Sequence, residues 1–169
     1  MRPGRYWYTR SRQAVKRRYG KDWKLVCALL AAVSARSTVS ATARLADIAY
    51  WQIKTTGTVK RESFIYAHYK SIQGVLKNGQ PNGRKCRALY QNLIGNEQFV
   101  PVDIWLMRLF GITNKDRPNK SEYDLIERTI RADANIRGLT VAQRQAELWC
   151  GVRGKSDDFG DYLAQLKLF

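Results

Sequence analysis

Apolar residues in this chain recur at helical spacing and nowhere alternate as a half-buried strand does: Leu25, Leu29, Ala32 and Val33, then Ala43, Leu45 and Ile48, then Phe64, Ala67, Ile72, Val75 and Leu76. Side chains three and four positions apart share one face of an α-helix, so this spacing lets each segment bury a stripe against its neighbours. The pattern predicts an all-α fold, a single compact helical domain. At 169 residues, 44% of them hydrophobic, the chain is long enough to close one core. No repeat, low-complexity tract or interdomain linker interrupts it.

Breakers divide the period into elements. Lys77-Asn-Gly-Gln-Pro-Asn-Gly83 holds two glycines, two asparagines and a proline, the strongest turn signal in the chain. A helix is expected after it from Arg84 to Ile94, ended by Gly95-Asn96. Pro101 enforces an extended approach, and Asp103 is an apt N-cap for a helix from Ile104 to Phe110, closed by Gly111. Three further helices are expected: Ser121 to Asn135, Thr140 to Cys150 and Asp157 to Leu166. Asp157, Asp158 and Asp161 read as caps of the last of these, since no neighbouring ligand positions suit a metal.

Thirty Lys and Arg stand against fourteen Asp and Glu, a net charge of +16. On so small a body this creates a field that attracts polyanions, with nucleic acid ahead of a membrane surface. Residues 1–24 carry nine of the cations and a single acid, Asp22, together with Tyr6, Trp7 and Tyr8. They read as a basic N-terminal arm that contacts DNA, or as a solvated first helix from Gln13 to Tyr19 whose aromatics pack inward. Residues 25–169 form the helical domain in either case.

Cys27, Cys86 and Cys150 are scattered, without metal-ligand spacing, and odd in number. They exclude a zinc site, a cysteine-ligated iron–sulfur cluster and a disulfide framework, and fit a reducing cytoplasm. The run from Leu25 to Ala35 imitates a signal-peptide core, but its basic leader is long and the apolar pattern continues as an amphipathic helix through Leu45, Ile48 and Ala49. At about eleven residues it is also too short to span a bilayer.

A glycine turn opening a helix exposes unpaired backbone N–H groups at the positive end of the helix dipole, a natural seat for phosphate. Asn82, Gly83 and Arg84 supply such amides here, and Arg84, Lys85 and Arg87 add charge. Eighteen residues beyond Lys85 stands Asp103, in Val100-Pro-Val-Asp103-Ile-Trp105. A lysine amine near a helix N-terminus and among arginines has its charged form disfavoured, which frees its lone pair for nucleophilic attack. The plain alternatives are a phosphate contact for Lys85 and a pure helix cap for Asp103.

Gly83-Arg-Lys85 leading by helix and loop to Val100-Pro-Val-Asp103 resembles the helix–hairpin–helix DNA glycosylase superfamily, the endonuclease III and 8-oxoguanine glycosylase/lyase group. Ser34-Ala-Arg-Ser-Thr38 is similar to that family's Ser-Ala-Gln-x-Thr turn, and the likeness spans roughly residues 25 to 112, about half of the chain. It departs from the family at Gly79 and Pro81, where an apolar residue and a glycine stand in the hairpin, and at Trp105, often histidine in the lyases. The cysteine cluster of endonuclease III is missing.

The resemblance implies a helix–hairpin–helix element, Lys85 as lyase nucleophile and Asp103 as catalytic carboxylate. Asp103 would stabilise cationic character on the sugar or help to deprotonate the nucleophile. Arg36 would fill the gap left by a flipped base, and Trp105, beside Asp103, could stack on that base. His68, the one histidine, and Tyr90 and Trp149 read as structural. The expectation is a DNA glycosylase with associated lyase activity on duplex DNA, needing no cofactor and no metal. It would be monomeric, cytoplasmic and nucleoid-associated, a pared-down and phage-borne version of the family. Two other readings keep the scaffold: an enzyme that modifies pyrimidines in DNA, and a noncatalytic DNA-binding module.

Overall fold

Each break in the apolar period ends a helix. The structure, a computed structural model, describes residues 1–167. These form α1 (Trp7–Tyr19), α2 (Trp23–Ala32), α3 (Val39–Thr56), α4 (Tyr66–Asn78), α5 (Arg84–Ile94), α6 (Ile104–Leu109), α7 (Lys120–Ile136), α8 (Val141–Arg153) and α9 (Phe159–Leu163), with no strand among the described residues. The fold is an all-α helical domain. No described helix is long and apolar enough to cross a membrane.

Helix α5 has the expected bounds, and α6 to α9 fall where the breakers place them, except that α9 ends at Leu163 rather than Leu166. Asn119, Thr140 and Asp158 each form a reciprocal capping box with the residue three positions on, which sets the first residues of α7, α8 and α9. That is why α9 begins at Phe159 rather than Asp157. Helix α8 continues past Cys150 to Arg153 and stops at left-handed Gly154.

Two expectations need correction. The amphipathic run from Leu25 through Ala49 is not one helix: it breaks at Val33–Thr38, where Arg36 is left-handed (φ 57°) and Thr38 caps α3. The first helix starts at Trp7 rather than Gln13, because Trp7 and Tyr8 are themselves buried, along with Val15 and Tyr19. Burial of each such large side chain contributes about 1.5–3 kcal/mol. Helix α2 buries all of Val26 to Ala32.

Two apolar clusters make up the core. The larger gathers α1 to α5 with parts of α8 and α9 around Leu29, Leu30, Ile72 and Leu93. The smaller unites Val100, Val102, α6 and α7 around Leu106, Met107, Ile126 and Ile130. Trp149 packs against both.

Candidate functional site

The turn between α4 and α5 is built on left-handed glycines. Gly79 ends α4 at φ 77°, and Gly83 precedes α5 at φ 85°, ψ 150°, a region only glycine occupies readily. No side chain caps the first turn of α5. Between the glycines, Pro81 is buried and Asn82 folds back on α4. A Cβ on Gly74 would lie 2.7 Å from Asn82 Oδ1, so this glycine permits the close approach. Arg87 Nε donates to the Pro81 carbonyl at 3.3 Å, tying α5 to its own turn.

The three cations at the start of α5 therefore differ. Arg84 is engaged by α7: it reaches Asp124 at 2.7 Å and Glu127 at 3.1 Å, and stacks 3.9 Å over the Tyr123 ring. Arg87 holds the turn. Lys85, half-buried at the second helical position, has no carboxylate within 4.0 Å among the described residues.

The Ser34–Ser37 turn meets this end of the molecule. His68, buried on α4, lies 2.5 Å from the Ala35 carbonyl oxygen, and Ser34 and Lys85 both act on the Cys86 thiol of α5. Burial pushes the Cys86 thiol up, against the pull of Lys85 and Ser34. Arg36 projects from the tip of the turn, exposed, and is the only non-glycine residue described with positive φ. Arg36 and Lys85 thus belong to adjoining turns. His68 has the packed role expected of it.

Asp103 has a separate setting. Tyr123 donates its hydroxyl to the Val100 carbonyl at 2.6 Å and accepts from the Val102 amide at 3.3 Å, clasping the extended segment that delivers the aspartate. Asp103 Oδ1 then caps α6, accepting from the Trp105 and Leu106 amides at 3.1 and 3.0 Å, as expected of it. Oδ2 accepts from Trp149 Nε1 at 2.6 Å. No ion pair or hydrogen bond joins Lys85 to Asp103 among the described residues; α5 packs on α2 and α1, and α6 on α8. Trp105, half-buried, carries Arg108 4.9 Å over its ring.

Sequence reasoning placed Trp149 in the core and missed its bond to Asp103. Helical spacing reports that a tryptophan faces inward, and says nothing of where its N–H ends. It also passed over Tyr66, 60% exposed at the start of α4, with Arg61 5.3 Å and Lys70 5.5 Å from its ring. A groove of about 390 Å³ runs along α5, lined by Arg84, Arg87, Gln91, Phe99 and Tyr123, with neither Lys85 nor Asp103 in its wall.

Charge is distributed differently from the chain order. Among the nine cations of residues 1–24, Arg2, Arg5, Arg10, Arg12 and Arg18 are ion-paired to Asp161, Glu147, Asp158, Glu97 and Asp47. Residues 36–87 hold ten cations and two acids, of which Asp47 is buried. Of those ten, only Lys54 and Arg84 are ion-paired among the described residues. Eight cations of residues 36–87 are thus left without a salt bridge among the described residues, against four of residues 1–24.

The fold and this charge arrangement define a helical protein with many unpaired cations between residues 36 and 87 and with two charged side chains, Lys85 and Asp103, each at a helix start. The chain belongs to a family of unknown function, DUF7178, whose model matches residues 1–156. No curated protein and no solved structure matches the chain.

Proposed function

We propose that this protein is a DNA N-glycosylase with associated lyase activity, acting on duplex DNA through Lys85. The observation that carries the reading is the state of Lys85: a lysine on the first turn of an uncapped helix, behind a glycine turn, left without a carboxylate while its neighbour Arg84 is ion-paired. In this reading α4, the 79–83 turn and α5 act as the helix–hairpin–helix element, and the free amides behind Gly83 receive a phosphate. The unpaired cations of residues 36–87 hold the flanking backbone without reading sequence.

The Lys85 amine attacks the sugar C1′ as the N-glycosidic bond breaks, and the base leaves with a proton. The resulting aminal opens to the Schiff base as its C1′–O4′ bond breaks and its N–H proton passes to the ring oxygen, with no change of oxidation state. Loss of the C2′ proton then expels the 3′-phosphate, cutting the strand. Asp103 stabilises positive charge growing on the sugar during base loss. Arg36 fills the vacated stack, and its left-handed backbone supports that role, because strain of this kind gathers at functional turns.

The test is trapping. Incubation with abasic-site duplex and borohydride should yield a covalent adduct that is lost in Lys85→Ala. One observation favours a binding-only reading, namely that the hydrogen bonds of Asp103 already account for it as a helix cap. No adduct, no base release from any modified duplex, and retained, steeply salt-dependent binding would select that reading.

A further inference from the structure

Asp103 is aimed by residues that lie outside the stretch carrying the resemblance. A carboxylate offers about four lone-pair sites, and three N–H groups already address this one: Trp105 and Leu106 amides on Oδ1, and Trp149 Nε1 on Oδ2. The two amides hold Oδ1 and leave Oδ2 without a donor of its own. The indole at 2.6 Å fixes the second oxygen.

Trp149 is itself immobilised on several sides. The Arg153 guanidinium lies 3.8 Å over its ring, and Trp7 meets it edge-on at 5.4 Å between centroids. Trp7 is held by its own N–H to the Asp157 carbonyl at 2.7 Å, and Arg153 by Asp157 at 2.8 Å. The Arg153 side chain is 5% exposed, so its charge acts on the indole with little solvent screening. A cation over the ring draws electron density from it and makes the N–H a stronger donor.

We propose that Trp149, backed by Arg153 and Trp7, is a positioning residue for Asp103. It directs the carboxylate's remaining lone pair toward the reacting sugar, where the anion stabilises growing positive charge. An indole N–H donates only, so the lone pair it occupies is closed to a substrate proton. The proposal rests on the glycosylase reading for its catalytic part, while its geometric part stands without it.

The experiment replaces Trp149 by benzothienylalanine, an isostere in which sulfur stands for the N–H, and compares it with Asp103→Ser, which keeps an N-cap oxygen and loses the Oδ2 acceptor. Substrates are duplexes carrying one uracil, 8-oxoguanine, thymine glycol or 3-methyladenine. The isostere should slow single-turnover base release tenfold or more and leave duplex affinity within twofold, and it should have no further effect on top of Asp103→Ser. In the wild type the Trp149 indole ¹H–¹⁵N resonance should lie downfield and move upfield in Asp103→Ser, a readout that needs no reaction. Wild-type release rates in the isostere, additive effects in the double variant, or an unmoved resonance would each overturn the proposal. If no wild-type substrate is cleaved, the glycosylase reading falls and takes the catalytic part with it, while the resonance still decides the geometric part.

Discussion

His68 Nε2 lies 2.5 Å from the carbonyl oxygen of Ala35, so α4 holds the turn from which Arg36 projects. The contact joins residues 33 positions apart and fixes where the turn stands relative to the start of α5.

Replacing His68 by alanine should therefore loosen the turn as well as the core. It leaves the Ala35 carbonyl without its partner, a loss of about 1–3 kcal/mol. Urea unfolding should register that loss, and amide exchange should quicken at Ser34–Ser37. Unchanged exchange there would show that the turn holds itself.

Arg36→Gly separates stability from function. A left-handed conformation costs a non-glycine residue roughly 1–2 kcal/mol, whereas glycine in general loses about 0.5–1 kcal/mol through backbone entropy. The variant should be as stable as the wild type or more so, by up to about 1.5 kcal/mol, and should bind duplex DNA less tightly. A marked loss of stability would mean that the arginine side chain, rather than the backbone, anchors the turn.

The two populations of cations should behave oppositely. Arg10 Nε stands 2.6 Å from Asp158, whose side chain is 2% exposed. Breaking a buried pair costs about 3–5 kcal/mol; Arg2 also approaches Asp158 and Arg10 is partly exposed, so Arg10→Ala should fall at the low end. Lys77→Ala, at an exposed and unpaired position, should change stability by less than about 0.5 kcal/mol. If Lys77 neutralises a phosphate, its loss should reduce the slope of log affinity against log salt by about 0.9. Equal effects of the two on stability would contradict the division of charge.

Alkaline pH should unfold the protein through its buried neutral acids. Burial pushes Tyr123 up to about 12, and burial with the Asp22 carboxylate pushes Tyr50 up to about 12. Burial likewise pushes the Cys27 and Cys150 thiols up to about 12 and about 11. Ordinary values are about 10 for tyrosine and about 8.5 for cysteine. The folded state keeps these protons longer than the unfolded chain, so their stabilising effect is complete below the ordinary values and is lost as pH rises toward the raised ones. The urea midpoint should fall from about pH 9 upward; a midpoint flat to pH 11.5, or about that, would refute it.

The helices were legible because their signals are local. Gly83, Gly95, Pro101 and Asp103 act through the conformation and hydrogen bonding of their immediate neighbours, and α5 accordingly has the expected bounds. The cap at Asp103 was readable for the same reason. The break at Val33–Thr38 was harder, since apolar spacing continues across it and the turn is secured from α4 by His68.

What the sequence determined by itself is the all-α class, most helix limits, the overall positive charge and the two chemically suggestive positions, Lys85 and Asp103. Only the tertiary structure decided which charges remain free, because ion pairing depends on distance through space: the arginines of α1 meet carboxylates as many as 148 positions away, while those near Lys85 along the chain are scarce. It alone placed Trp149 against Asp103, since a hydrogen bond between residues 46 positions apart leaves no period for a local pattern to carry.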